Sequence, residues 1–269
     1  MWFALTLILA CGPKKSPADS VVPSSELSGN STAPTETKGI RSVEVLGQIN
    51  LNSEFEGLKT DTLMRFRRLT IEPGGVVAQH EHQQRPGVAY IVSGTIQEHR
   101  EGTVRSCQPG DVAYESSGIT HWWENQSEAD VVAIVVDIIE PESMPDLGDY
   151  LSIAQAGEIP SANQGLQLSV LGAQPLSSEF SALKDKSLRV RHIDVAPEGV
   201  VAFHTHHSRP SFAYLLSGEM TEHRDDRSEP IRHHAGSVVT ERNGLGHWWQ
   251  NETGMDARFL VVDIVDVDP

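Results

Sequence analysis

Gly74-Gly75-Val76-Val77-Ala78-Gln79-His80-Glu81-His82-Gln83-Gln84-Arg85-Pro86-Gly87-Val88-Ala89-Tyr90-Ile91-Val92-Ser93-Gly94 is the stretch whose reading decides the fold. Val88 to Val92 is β-branched and aromatic and is bounded by Pro86-Gly87 and Ser93-Gly94, so it reads as a strand between turns. His80 and His82 are two apart, and on a strand that spacing sends both imidazoles to one face. The same writing recurs further on. His204-Thr205-His206 repeats His80-Glu81-His82, and Arg209-Pro210 repeats Arg85-Pro86.

Outward from these pairs, residues 41–141 overlay residues 166–269 at an offset of 124 to 126 positions. Val45-Leu46-Gly47 returns as Val170-Leu171-Gly172, and Glu98-His99-Arg100 as Glu222-His223-Arg224. His121-Trp122-Trp123 returns as His247-Trp248-Trp249, and Val135-Val136-Asp137-Ile138 as Val261-Val262-Asp263-Ile264. Internal repetition on this scale predicts two copies of one domain, joined by a linker over 142–165. Within a copy, short apolar runs alternate with turn residues, Val131 to Ile138 and Phe259 to Val265 among them, so each half is expected to be an all-β barrel or sandwich. Ser93-Gly94 reads as a hairpin turn, and the linker around Gly148 to Ala156 as the one helical stretch.

Among 269 residues, 21 basic against 37 acidic side chains leave a net charge of -16, which repels phosphate backbones and anionic lipid head groups. Nucleic acid is therefore not an expected partner. No run approaches the roughly twenty apolar residues of a spanning helix. Trp2 to Ala10 is a short apolar run that stops at Cys11-Gly12, and Ile8-Leu9-Ala10-Cys11 resembles the end of a bacterial lipoprotein signal. That resemblance implies a signal over 1–11, lipidation of Cys11, and a location in the bacterial envelope with the membrane touched only through the lipid. The alternative is a plain hydrophobic N-terminus. Residues 12–40 are rich in Ser, Pro, Thr, Lys and Glu, too polar to offset their ordering entropy, and read as a tether. With Cys11 lipidated, Cys107 is the one remaining thiol and no internal disulfide can form.

Two same-face imidazoles and a third from a distant strand can meet as three corners of one metal site. His80, His82 and His121 form one such set, and His204, His206 and His247 the other. At these residues the sequence resembles the cupin superfamily, specifically a bicupin, across residues 41–269. Gly74, His80, His82 and Gly94 match the first cupin motif; Gly110, Gly118, His121 and Asn125 match the second. Gly236, Gly244, His247 and Asn251 repeat the second, with Ser116 and Arg242 where the family has proline. The resemblance implies two tandem jelly-roll barrels, each holding a divalent ion, iron, manganese, zinc or nickel, and acting on a small molecule. Cupins dimerise through barrel edges; here the two copies pairing with each other would give a monomer, with a homodimer as the alternative. Where the family places its metal-binding glutamate, this chain has Gly87 and Ser211. A three-histidine site leaves the ion's charge uncompensated and favours anionic ligands.

If Ser93-Gly94 closes a two-residue hairpin, Ala89 faces Glu98 and Gly87 faces Arg100, and alternation turns Glu98, Arg100 and their counterparts Glu222 and Arg224 inward. Glu98 and Glu222 are then candidates for a fourth ligand or a base beside the metal, with Arg100 and Arg224 binding a substrate anion. A buried Glu-Arg ion pair is the alternative. Trp123 and Trp249 share the interior side with His121 and His247, as a stacking surface for an aromatic or sugar substrate or as core packing. Arg85 and Arg209, just past each His-x-His pair, are expected at the barrel mouth. Glu115 and Glu241 recur as well, but sequence alone does not assign their face. The function expected is a metal-dependent dioxygenase, isomerase or lyase for a small anionic or carbohydrate-derived molecule, the alternative being a non-catalytic ligand- or metal-binding module.

Overall fold

The computed structural model describes residues 33–148, 150–152 and 158–267. Cys11 and the first part of the expected tether lie outside that range, as does most of the expected helical linker. Gly148, Tyr150, Leu151 and Ser152 carry no helix.

Sixteen strands account for almost all the regular structure among the described residues. The first half holds β1 (Lys38–Asn50), β2 (Leu63–Glu81), β3 (Gly87–Ser93), β4 (Ile96–Arg100), β5 (Thr103–Cys107), β6 (Val112–Glu115), β7 (Thr120–Glu124) and β8 (Val131–Ile139). The second holds β9 (Gln164–Pro175), β10 (Lys186–Thr205), β11 (Ser211–Ser217), β12 (Glu219–Arg224), β13 (Ile231–His234), β14 (Val238–Glu241), β15 (Gly246–Gln250) and β16 (Ala257–Asp266). Single 3-10 turns at Leu51–Ser53 and Ser181–Leu183 complete the two halves.

Each half is one curled antiparallel sheet. The strand order β5-β4-β7-β2-β8-β3-β6 in the first is matched by β13-β12-β15-β10-β16-β11-β14 in the second, with β1 on β2 and β9 on β10. The long strand β2 serves both layers of its barrel. Leu63–Ile71 pairs with β8, and beyond a bend at Pro73-Gly74-Gly75, where Gly74 has φ +71°, Val76–Glu81 pairs with β7. That bend aims His80 into the space between the layers.

The hairpin expected at Ser93-Gly94 is not formed. Strand β3 is bordered by β6 and β8, and β4 by β5 and β7, so β3 has no edge left for β4. Gly94, with φ +78°, instead carries the chain from one layer to the other, pressed so close that a β-carbon would lie 2.7 Å from the Asp130 carbonyl. The pairings Ala89 with Glu98 and Gly87 with Arg100 therefore do not exist. The inward direction of Glu98 survives, because it pairs with interior Trp123 on β7.

Strands β3 and β8 are apolar without alternation because both of their faces are covered. Ala89, Ile91, Ala133 and Val135 face the barrel interior with Ile71, Ile96 and Trp123. Val88, Tyr90, Ile134, Val136 and Ile138 face outward into a core shared with Leu188, Val190, Phe212, Tyr214, Leu260 and Val262 of the other half. The two copies thus pack sheet to sheet, with Phe66 tilted against Phe212 at 5.3 Å. Burying rings and branched side chains of this kind contributes about 1.5–3 kcal/mol each. The packing is reciprocal at its rim. The Glu54 carboxylate accepts from the Asn243 amide of the second barrel at 2.8 Å, and the Glu179 carboxylate from the Ser117 amide of the first at 2.6 Å.

Candidate metal centres

Three imidazoles converge inside each barrel. His80 sits near the end of β2, His82 just beyond it, and His121 on β7 opposite His80 in the strand register. Their Nε2 atoms lie 2.9 Å (His82 to His121), 3.1 Å (His80 to His82) and 3.1 Å (His80 to His121) apart. In the second barrel His206 and His247 are 3.0 Å apart, and His204 and His247 3.1 Å.

The opposite ring nitrogens show what this proximity means. Nδ1 of His80 donates to the Ala78 carbonyl at 2.9 Å, that of His82 to the Arg85 carbonyl at 3.1 Å, and that of His121 to Glu98 Oε1 at 2.9 Å. The Ala202 carbonyl, the Arg209 carbonyl and Glu222 Oε1 do the same for His204, His206 and His247. Each Nδ1 thus holds its ring's proton, and three bare Nε2 lone pairs point at one another. Such an arrangement is repulsive unless a cation sits among them. Nitrogens at ~2.1 Å from one ion and at right angles to each other are ~3.0 Å apart, the spacing seen here. Burial disfavours the protonated rings further, lowering His80 and His206 and taking His82 to about 3 and His204 to about 4.

Glu115 and Glu241 supply what Gly87 and Ser211 lack. Strand β6 places Glu115 directly opposite Gly87, and β14 places Glu241 opposite Ser211. Glu115 Oε2 is 3.6 Å from His82 Nε2, and its Oε1 is 3.7 Å from His121 Nε2. Glu241 stands 3.6 Å from Nε2 of both His206 and His247. A β-carbon on Gly87 would come within 3.2 Å of Glu115 Oε2, so the glycine leaves room for the carboxylate. Ser211 fills the same place with a hydroxyl that donates to Glu241 Oε2. Burial pushes Glu115 up to about 7. The sequence signal for both was present: an identical glutamate in each copy and a vacated family position in each.

Glu98 and Glu222 do not fit the fourth-ligand role. Their carboxylates stand behind His121 and His247, on the Nδ1 side, with the ring between them and the centre. Arg100 and Arg224 do not face the centres freely either. Arg100 Nη2 donates to Glu98 Oε1 at 2.5 Å and to the Tyr114 carbonyl, and Arg224 makes a two-pronged pair with Asp226. The guanidiniums nearest the ligand space are others. A cavity with about 380 Å³ of free volume, its open mouth included, adjoins the second centre and is lined by Arg191, Arg209, Glu241, Trp249 and Phe259 beside His204 and His206. Arg85, the counterpart of Arg209, leans on buried Asp137 at 3.5 Å. Trp123 and Trp249 are interior, edge-on to His121 and His247, and 3% exposed each, and Trp249 also borders the cavity beside the second centre.

The cupin domain family matches residues 67–137 and again 191–263, so the chain belongs to the cupin family, as a tandem bicupin. A comparison with curated proteins gave no match. Among solved structures it is similar to a putative glyoxylate-induced protein from Pseudomonas aeruginosa (15% identity, TM-score 0.58, 86% of this chain and 82% of that one). It is also similar to AerE from Microcystis aeruginosa (9%, 0.54, 87% and 98%) and to oxalate decarboxylase from Bacillus subtilis, described for its Mn(II) centres (14%, 0.52, 88% and 78%). At such identities the likeness is one of fold.

Proposed function

We propose that each barrel holds one divalent ion through three histidines and a glutamate from the neighbouring strand, His80, His82, His121 and Glu115 in the first, His204, His206, His247 and Glu241 in the second, and that the second centre acts on a small carboxylate. The observation that carries this is a buried carboxylate 3.6–3.7 Å from two nitrogens of a three-histidine group, in both copies. Three neutral rings and one carboxylate leave a divalent ion with an uncompensated positive charge, and a four-ligand set leaves coordination positions open. An ion there would polarise a ligand oxygen or lower the pKa of a bound water.

The chain's own residues favour an anion. Arg191 and Arg209 line the cavity beside His204 and His206, and Asp263 pairs with Arg191 at 3.1 Å. Arg209 is thus positioned to anchor the carboxylate of a ligand, while Trp249 and Phe259 narrow the space and exclude water. Glu98 and Glu222 fix the tautomer and orientation of His121 and His247 and raise their basicity as ligands. The envelope location, through a lipid on Cys11, belongs to the same proposal.

The test is metal analysis of the purified chain followed by calorimetric titration with oxalate and glyoxylate, chosen because fold neighbours carry those names, and by assays for oxygen uptake and turnover. Two bound ions per chain, metal-dependent binding of a small acid and its turnover are expected. Binding without turnover of any acid in the panel would leave a ligand-capture module, and a folded chain that binds no divalent ion would end the proposal.

A further inference from the structure

The duplication preserved the histidines and changed what stands behind one of them. In the strand register, Ile96 pairs with Cys107 in the first barrel, and its counterpart Met220 pairs with His233 in the second. Cys107 makes no hydrogen bond to Glu98, whereas His233 Nε2 lies 2.9 Å from Glu222 Oε2. The arginines have shifted in step. In the first barrel Arg100 donates at 2.5 Å to Glu98 Oε1, the same oxygen that accepts from His121 Nδ1 at 2.9 Å. In the second, Arg224 is drawn onto Asp226 at 2.8 Å and approaches Glu222 Oε1 only to 3.7 Å. Glu222 Oε1 accepts from His247 Nδ1 at the shorter distance of 2.7 Å.

These differences act in one direction. A guanidinium sharing an oxygen with His121 takes up much of the Glu98 charge, and that charge is what makes an imidazole a stronger donor through its far nitrogen. The His233 imidazole on the other carboxylate oxygen holds Glu222 in place and leaves Oε1 to His247.

Resting on the metal-centre reading above, we propose that His233 is a positioning residue of the second centre alone, and that the His233–Glu222–His247 chain makes this centre bind a divalent ion more tightly than the first. The two sites are unlike by construction, although their histidines and glutamates are the same.

Cobalt(II) titration of the full chain, read by affinity and by the visible spectrum, tests this. His80→Ala/His82→Ala leaves only the second centre, and His204→Ala/His206→Ala only the first. The second centre is expected to bind at least about tenfold tighter, the scale on which such outer partners act. In the chain with only the second centre, His233→Leu should remove most of that advantage and shift the cobalt spectrum, and His233→Gln, which keeps an N–H for Glu222 Oε2, should restore both. His233→Gln, together with the comparison of the two centres in chains that keep His233, guards against a His233→Leu variant that fails to fold. Equal affinities for the two centres, an unchanged spectrum in His233→Leu, or equal losses in the Leu and Gln variants would overturn the inference. Two bound ions with no response at His233 would overturn it alone, whereas a folded wild-type chain that binds no cobalt would overturn the metal-centre reading with it.

Discussion

Glu54 couples the stability of the molecule to pH through the contact between barrels. It follows the 3-10 turn after β1, is 6% exposed, and reaches across to accept from the Asn243 amide in the loop that leads to His247. Its other oxygen has no hydrogen-bond partner. Burial lifts its pKa from 4.5 to about 7, against the pull of the Asn243 amide and of Arg242. The folded state therefore holds this proton more firmly than the unfolded chain does. Stability is unaffected by the group below about pH 4.5, falls as pH rises toward 7, and carries the full cost above it. At ~1.36 kcal/mol per pKa unit the upper bound is ~3 kcal/mol, and relaxation at the interface brings the expected cost to ~1–3 kcal/mol. Glu54→Gln keeps an oxygen for the Asn243 amide and removes the charge. Thermal melts should show the variant matching wild type near pH 4.5 and exceeding it by roughly 2–10 °C near pH 8. A gap that does not change with pH, or a variant less stable near pH 8, would refute the argument.

The other predictions test the packing and the site. Gly47→Ala puts a β-carbon 2.7 Å from Phe212 Cε1 and should cost ~1–3 kcal/mol by forcing the barrels apart, read as a lower melting temperature. Arg209→Ala should leave metal content at the wild-type level while weakening calorimetric binding of a small carboxylate by about tenfold or more, as loss of a charge-assisted contact does. Glu98→Gln should reduce cobalt affinity at the first centre by roughly 10–100-fold, because the amide no longer holds the charge behind His121; unchanged affinity would remove the role assigned to Glu98.

Much of this was legible in the residues. Two His-x-His pairs, a third histidine about forty positions on, and a repeat in register specified two β-barrels and placed six imidazoles, because local spacing and strand alternation carry that information. The partner of Gly87 was not legible. Glu115 meets it through β6 on β3, a pairing between strands separated by β4 and β5, and no local pattern reports which distant strand closes a layer. The same limit produced the false hairpin at Ser93-Gly94. Serine-glycine between two apolar runs reads as a tight turn, but the edges of β3 were already taken by β6 and β8. Glu98 was placed on the interior side, yet its role depended on which face of His121 it meets, and only the three-dimensional register of β4 on β7 sets that. His233 stood outside every motif, since it replaces a cysteine rather than repeating a histidine.

The most direct test of the central claim is a crystal structure of the full chain soaked or grown with manganese(II), with the ions located by their anomalous scattering. Two ions are expected, one per barrel, each at ~2.0–2.3 Å from three histidine Nε2 atoms and a carboxylate oxygen of Glu115 or Glu241, with Glu98 and Glu222 remaining on Nδ1 of His121 and His247. Barrels without an ion at saturating manganese, or ions with Glu115 and Glu241 turned away and Glu98 and Glu222 in their place, would contradict it.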